Sequence, residues 1–190
     1  MGTNCAPYLA NLFLYAYESE FIDKLMVDNP NAAKQFTHVH RYQDDCISFN
    51  DGNLFETKWR EIYPPEMILE KTSLDNHCTI LDLEIAIVNN RFSFKSFDKR
   101  NNFPFDIVNY PDLFGNIPQN PSYGVYHSQL VRFCDLNGSI ENFKRDVITL
   151  TSKFENKNFE SKKLGVRFKR FCNENIVRWS KFGIDIINFL

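Results

Sequence analysis

Two adjacent carboxylates, Asp44 and Asp45, lie at the centre of Arg41-Tyr42-Gln43-Asp44-Asp45-Cys46-Ile47. Two short runs that read as strands flank them: Phe36, Val39 and Tyr42 before, Cys46, Ile47 and Phe49 after. Successive strand residues point to opposite faces, but a tight turn breaks that alternation and can aim both carboxylates at one spot. Two carboxylates at one spot repel unless a cation neutralises them. The hard divalent cation that prefers carboxylate oxygen is Mg²⁺, commonly shared with a substrate's phosphates. A hairpin tip bearing Asp-Asp therefore suits half of a two-metal phosphoryl-transfer site. The plainer alternative is a solvated loop, because aspartate favours turns without any ligand.

The rest of the chain narrows the class. Its 190 residues suit one domain with a small appendage, and 19 Phe within a hydrophobic fraction of 43% supply an aromatic core. No run approaches the roughly 18 apolar residues of a membrane span. No basic start leads into an apolar core and a small-residue cleavage site, so an intracellular protein, nuclear or cytoplasmic and not secreted, is expected. Cys5, Cys46, Cys78, Cys134 and Cys172 are scattered and odd in number. They read as buried free thiols in a reducing compartment rather than a zinc or disulfide framework. The net charge of −2 conceals an asymmetry: residues 140–181 carry +6 and the remainder −8. An acidic region followed by a basic one suits catalytic carboxylates joined to a backbone-binding surface, although a solvated helical face explains the basic stretch equally simply.

In chain order, Leu9, Leu12, Phe13, Ala16, Tyr17, Glu20 and Phe21 predict a helix from Pro7 to Met26. Asp28-Asn29-Pro30-Asn31 reads as a turn before the Asp-Asp hairpin. Leu54, Phe55, Trp59, Ile62 and Tyr63 fit a short helix halted by Pro64-Pro65. Residues 67–72 read as a strand. Ile80, Leu81, Leu83, Ile85 and Ile87 alternate as a second, and Phe92, Phe94 and Phe97 answer after Asn89-Asn90, a hairpin from Thr79 to Phe97. A long connection rich in proline runs from Asp98 to Ser122. Then Val125, Tyr126, Gln129, Leu130 and Phe133 mark one helix, ending near Asn137-Gly138. Ser139 caps another carrying Phe143, Val147, Leu150, Thr151 and Phe154. A third, from Asn158 to Phe171, carries Leu164, Val166, Phe168 and Phe171, with Lys162, Lys163, Arg167, Lys169 and Arg170 on its other face. The fold class is α+β: a small antiparallel sheet with packed helices over 1–100, a connection over 101–122 and an all-helical unit over 123–190.

Taken in order, these pieces resemble reverse transcriptases, the RNA-directed DNA polymerases, of eukaryotic retroelements. Met1-Gly2-Thr3-Asn4-Cys5-Ala6-Pro7 before an aromatic helix looks like motif B, and Arg41 to Asp45 like the Tyr-x-Asp-Asp box of motif C. Glu66 to Thr72 stands where motif D does, and the Thr79–Phe97 hairpin where motif E, the primer grip, does. The stretch Tyr123 to Phe133 and the helices beyond it are similar to the region after the polymerase core of Penelope-like elements. The resemblance implies a partial palm followed by a helical thumb.

The resemblance also implies roles. Asp44 and Asp45 would hold Mg²⁺, Tyr42 would lie against the primer end, and Gly2 would let template and nucleotide pass close to the backbone. Lys71 would protonate the leaving pyrophosphate, with a solvated strand-end lysine as the alternative. The hairpin around Leu83 and Phe92 would support the primer or serve as ordinary core. Lys162, Lys163, Arg167, Lys169 and Arg170 would grip duplex phosphates. The partners implied are RNA template, DNA primer and deoxynucleotide, with no membrane. In the family a further catalytic aspartate and the fingers precede motif B. The chain is therefore expected to be part of a longer protein, inactive alone and with its amino-terminal half elsewhere. The alternative is a noncatalytic nucleic-acid-binding remnant.

Overall fold

The computed structural model describes residues 4–50, 52–73, 76–105, 107 and 109–183. The chain divides into two compact units, Met1–Thr72 and Ser73–Leu190. Both mix helix with a small antiparallel sheet, which makes the protein α+β.

In the first unit, α1 (Ala6–Asp28) begins with Pro7 in its first turn, where a missing N–H costs nothing. Asn29 ends it and starts the next helix: its amide donates to the Leu25 carbonyl at 2.8 Å and its side chain accepts from the Ala32 amide at 3.1 Å. Helix α2 (Pro30–Gln35) follows, so Asn29-Pro30, which reads from sequence as a turn, is a capped helix start. One 3₁₀ turn, Phe36–His38, leads into β1 (Val39–Tyr42); Phe36 therefore precedes the strand rather than belonging to it. Strand β1 pairs antiparallel with β2 (Asp45–Ser48), Tyr42 opposite Asp45. Helix α3 (Leu54–Ile62) then packs Phe55 and Ile62 with Leu14 and Tyr63.

Two expectations change here. Residues 67–72 form no strand, because the only strands of this unit among the described residues are β1 and β2, and the segment finds no ladder to join. The inward face of α1 is also not the expected one. Leu14 is buried and Glu18, Phe21, Ile22 and Leu25 are half-buried, whereas Leu9, Leu12 and Phe13 are 60%, 65% and 53% exposed. The helix is apolar around its whole girth, so periodicity alone cannot choose a face.

In the second unit, β3 (His77–Ile80), β4 (Leu83–Val88) and β5 (Arg91–Ser96) form a meander in that order. The expected hairpin is there, with Asn89 and Asn90 both left-handed at φ 52° and 57°, the backbone that a tight two-residue hairpin turn needs. The single strand expected from Ile80 to Ile87 is divided at Leu81, which is left-handed at φ 54° and half exposed, so an alternating pattern hides a turn. Helices α4 (Gln119–Leu136), α5 (Ile140–Glu155), α6 (Ser161–Glu174) and the short α7 (Ile176–Trp179) follow. Ser139 caps α5, accepting from the Asn142 amide at 3.2 Å. Phe143, Phe154 and Phe171 are completely buried in the shared core with Leu130, Leu150 and Leu164.

The sheet is lashed to these helices by backbone and side chain. The Gly138 amide donates to the Phe94 carbonyl at 2.9 Å, and the Ser96 amide donates to Asn137 Oδ1 at 3.2 Å. Asn137 Nδ2 donates to Asp146 Oδ2 at 2.7 Å, and the Ser96 hydroxyl donates to the same oxygen. A Cβ at Gly138 would stand 3.4 Å from the Phe94 carbonyl oxygen, so the close approach favours glycine. These bonds hold the hairpin to the helices within one compact unit.

Candidate metal and nucleic-acid site

The β1–β2 turn is two residues long. Gln43, its first residue, is left-handed at φ 55°, which an amide side chain other than asparagine adopts reluctantly. Of the acidic pair, Asp44 occupies the turn and Asp45 opens β2 opposite Tyr42. Both carboxylates are exposed, and neither accepts a hydrogen bond or pairs with a cation among the described residues. Their oxygens are therefore open to a hard cation.

A cleft of about 710 Å³ opens beside the turn. Its walls come from three separate stretches: Ala6, Pro7, Ala10, Phe13 and Leu14 of α1; Arg41, Gln43, Asp44 and Cys46 of the hairpin; and Trp59, Tyr63 and Met67–Leu69 around the end of α3. Asp44 lines it and Asp45 does not. The α1 side of the wall mixes the small Ala6, Pro7 and Ala10 with the larger Phe13 and Leu14. Tyr42 is 54% exposed and lies across the sheet from Asp45. Lys71 is outside the lining and donates to Glu56 Oε2 at 3.0 Å. Gly2 lies outside the described residues.

Below the turn is a polar knot that no local sequence pattern announces. Arg41, on the inward face of β1 with its side chain only 13% exposed, forks onto Glu18 of α1. Its Nε donates to Oε1 at 2.5 Å and its Nη2 to Oε2 at 3.1 Å. Its Nη1 donates to Asn11 Oδ1 at 2.8 Å and to the Gln43 carbonyl at 3.1 Å. The Tyr63 hydroxyl donates to Glu18 Oε1 at 2.8 Å. Hydrogen bonding to Glu18 holds Arg41 more firmly in its charged form. Burial, then the bond to Glu18, pushes the Tyr63 phenol well above its usual range. Burial likewise raises the Cys46 thiol, keeping it protonated beside the cleft. Asn11 and Glu18 are about two helical turns apart and so share a face of α1. That pairing of polar positions on an apolar helix is the one signal that points to the knot.

In the second unit, α6 buries Leu164, Phe168 and Phe171 and carries Lys162, Lys163, Arg167, Lys169 and Arg170 on its other side; Val166, expected on the apolar face, is 62% exposed. Lys163 pairs with Glu160 at 2.6 Å and Arg170 with Glu174 at 2.8 Å. Lys162, Arg167 and Lys169 have no acidic partner among the described residues. No disulfide forms among the five cysteines; Cys134 and Cys172 are buried as expected, Cys46 and Cys78 are half-buried, and Cys5 is exposed.

The residues present suit Mg²⁺ in one specific sense. Mg²⁺ is typically held by one or two carboxylates together with substrate phosphates rather than by an all-protein cage. Asp44 and Asp45 are the acids at the turn that could hold a cation, and only Asp44 lines the cleft; among the described residues no group of three or more His, Cys, Asp or Glu that could hold a metal ion is found. No helix among the described residues is long and apolar enough to cross a membrane. Compared with models of known families, with curated proteins and with solved structures, the chain matches none of them.

Proposed function

We propose that this chain is a polymerase segment of the reverse transcriptase type, with its Asp44–Asp45 turn as part of a two-metal site for joining nucleotides on an RNA template. The observation that carries the reading is convergence: stretches that read separately from the sequence as motifs B, C and D border one cleft, with Asp44 in its wall. In this reading the first unit is a partial palm, and the helices of the second are thumb-like. Mg²⁺ bound at Asp44 and Asp45 would supply charge neutralisation and orientation of the nucleotide phosphates. The chain's own residues hold the turn and present Tyr42 beside the acids. Bridging two ions needs a further carboxylate, so the described residues are inactive by themselves in this proposal. The test is Mg²⁺-dependent extension of a DNA primer on RNA by a longer protein that includes this chain. Asp44→Asn should abolish extension there, and full activity in that variant would refute the assignment.

A second reading, a noncatalytic nucleic-acid binder, draws on the unneutralised Lys162, Arg167 and Lys169 of α6. Each phosphate that the protein ceases to neutralise should reduce the slope of log affinity against log salt by about 0.9 on duplex. Changing these three residues to glutamine should therefore flatten the slope by roughly two to three units, as read by fluorescence anisotropy across a salt series. An unchanged slope would remove α6 from the interface.

A further inference from the structure

Arg41 makes four hydrogen bonds through its guanidinium, and one of them, to the Gln43 carbonyl, reaches into the turn itself. That carbonyl shares a planar peptide unit with the Asp44 amide. Fixing its direction fixes the plane from which the Asp44 side chain departs. The residue so held, Gln43, is in a backbone region that persists in a non-glycine residue only when its surroundings over-determine it. Arg41 is itself fixed at its other end: Glu18 receives its fork, and the Tyr63 hydroxyl donates to the same Oε1 that accepts from Arg41 Nε. The chain of contact runs from the end of α3 through α1 and β1 to the turn. All its members lie in one compact unit.

We propose that Arg41, braced by Glu18 and Tyr63, is a positioning residue that aims the Asp44 carboxylate into the cleft for a divalent cation carried with a phosphate-bearing ligand. The proposal rests on the functional reading above and adds the device that sets the geometry of its metal ligand. A lysine at this position would keep the charge but lose the planar fork, offering three donors on one nitrogen in place of the four bonds that Arg41 makes from three. A purely structural ion pair would tie the hairpin to α1 equally well and leave the turn indifferent to the substitution. The two accounts therefore separate at the turn and not in the melting curve.

The experiment uses the full 190-residue chain with ¹⁵N labelling and Mn²⁺ as the probe. Paramagnetic broadening of the Asp44 and Asp45 amides reads cation binding, and the Gln43 amide-to-α-proton coupling reads the turn. Arg41→Lys should weaken Mn²⁺ binding at the turn by about tenfold, the lower end of what loss of a supporting partner costs a metal site. It should also move the Gln43 coupling away from its left-handed value. Tyr63→Phe, which leaves the Arg41–Glu18 fork in place, should weaken binding by a smaller factor, and it decides the matter if Arg41→Lys fails to fold. If the wild type binds Mn²⁺ at the turn and both variants bind equally with an unchanged coupling, the positioning role is overturned and the metal reading stands. If the wild type shows no broadening at Asp44, or Asp44→Asn broadens as before, the metal reading falls and takes this proposal with it.

Discussion

The two units are held together in different ways. Among the described residues the second encloses sixteen in one buried core, including Phe143, Phe154 and Phe171 with no exposed surface at all. The first has four, Leu14, Phe55, Ile62 and Tyr63, and beside them an open cleft and an ion pair in place of further packing. Burial is non-directional and roughly proportional to apolar area, so the second unit carries the larger share of stability. The Arg41–Glu18 pair is weaker as a source of stability but fixes direction, since a bidentate fork has one good geometry. Sites that must receive a ligand belong to the less stable parts of a protein. The contrast thus fits a division of labour, a firm core in one unit and a directed turn in the other.

The sharpest way to break this contrast is a pair of truncations. Phe154 is packed against Tyr110, Tyr126 and Phe159 with ring centroids 4.5, 5.4 and 4.7 Å away. Phe154→Ala should cost about 3–5 kcal/mol, measured by urea unfolding. If it costs no more than Leu12→Ala on the exposed side of α1, the assignment of stability to the second core is wrong. Asn137→Ala comes next. It removes the amide that accepts from the Ser96 N–H and donates to Asp146 of α5, and leaves the half-buried Ser96 N–H without that partner. About 1–3 kcal/mol should be lost. Amide hydrogen exchange should speed up at Ser96 and Phe94 before it does in α5; uniform acceleration would mean that the sheet is not a separable attachment.

What is legible in the sequence follows the same division. Where one face of an element is apolar and the other charged, as in α5, the stripe Phe143, Val147, Leu150 and Phe154 is readable and is buried. The Ser139 cap and the Asn89-Asn90 turn are readable because each residue type has a local mechanical reason to be there. Helix α1 exists in the pattern, but its orientation does not, because apolar residues surround it and the polar Asn11 and Glu18 mark the packed side. Leu81 in a turn and residues 67–72 outside any sheet are not readable: alternation is satisfied at Leu81, and the apolar Met67, Ile68 and Leu69 suit a strand, but only the presence of a pairing partner decides. At the site, the adjacent acids are visible from residue type alone. That Asp44 lines the cleft and Asp45 does not depends on a left-handed Gln43. Its support comes through Arg41, which is anchored on Asn11 30 positions earlier, and no local pattern encodes that.

A smaller effect probes the exposed side of α1. Tyr8, Leu9, Leu12 and Tyr15 are 72%, 60%, 65% and 63% exposed, an apolar surface larger than scattered residues make. Leu12→Ser should change the urea midpoint by an amount corresponding to about 0.5 kcal/mol or less, the range for exposed positions. It should also lower light scattering at high protein concentration. A loss of about 2 kcal/mol, typical of a packed side chain, would mean that this face is covered in solution and that the first unit's core extends beyond the cluster of Leu14, Phe55, Ile62 and Tyr63.

The smallest effect is in pH. Asp98, 28% exposed, follows β5 and takes hydrogen bonds from Arg100 Nε at 2.7 Å and Nη2 at 3.0 Å, with Lys153 of α5 at 4.0 Å. The Arg100 guanidinium holds this carboxyl below its usual range, against the opposing effect of partial burial. A carboxyl with a folded value below its unfolded one stabilises the protein above the unfolded value, about 3.9, and that contribution fades as pH falls through the folded value. The wild type should therefore exceed Asp98→Asn by about 0.3 kcal/mol near neutrality, the low end for a partly exposed ion pair, with the gap closing in acid. Urea midpoints of the two proteins between about pH 6 and pH 3 measure the gap. A constant gap would show that the pair contributes through packing rather than charge, and would leave the second unit's stability wholly with its apolar core.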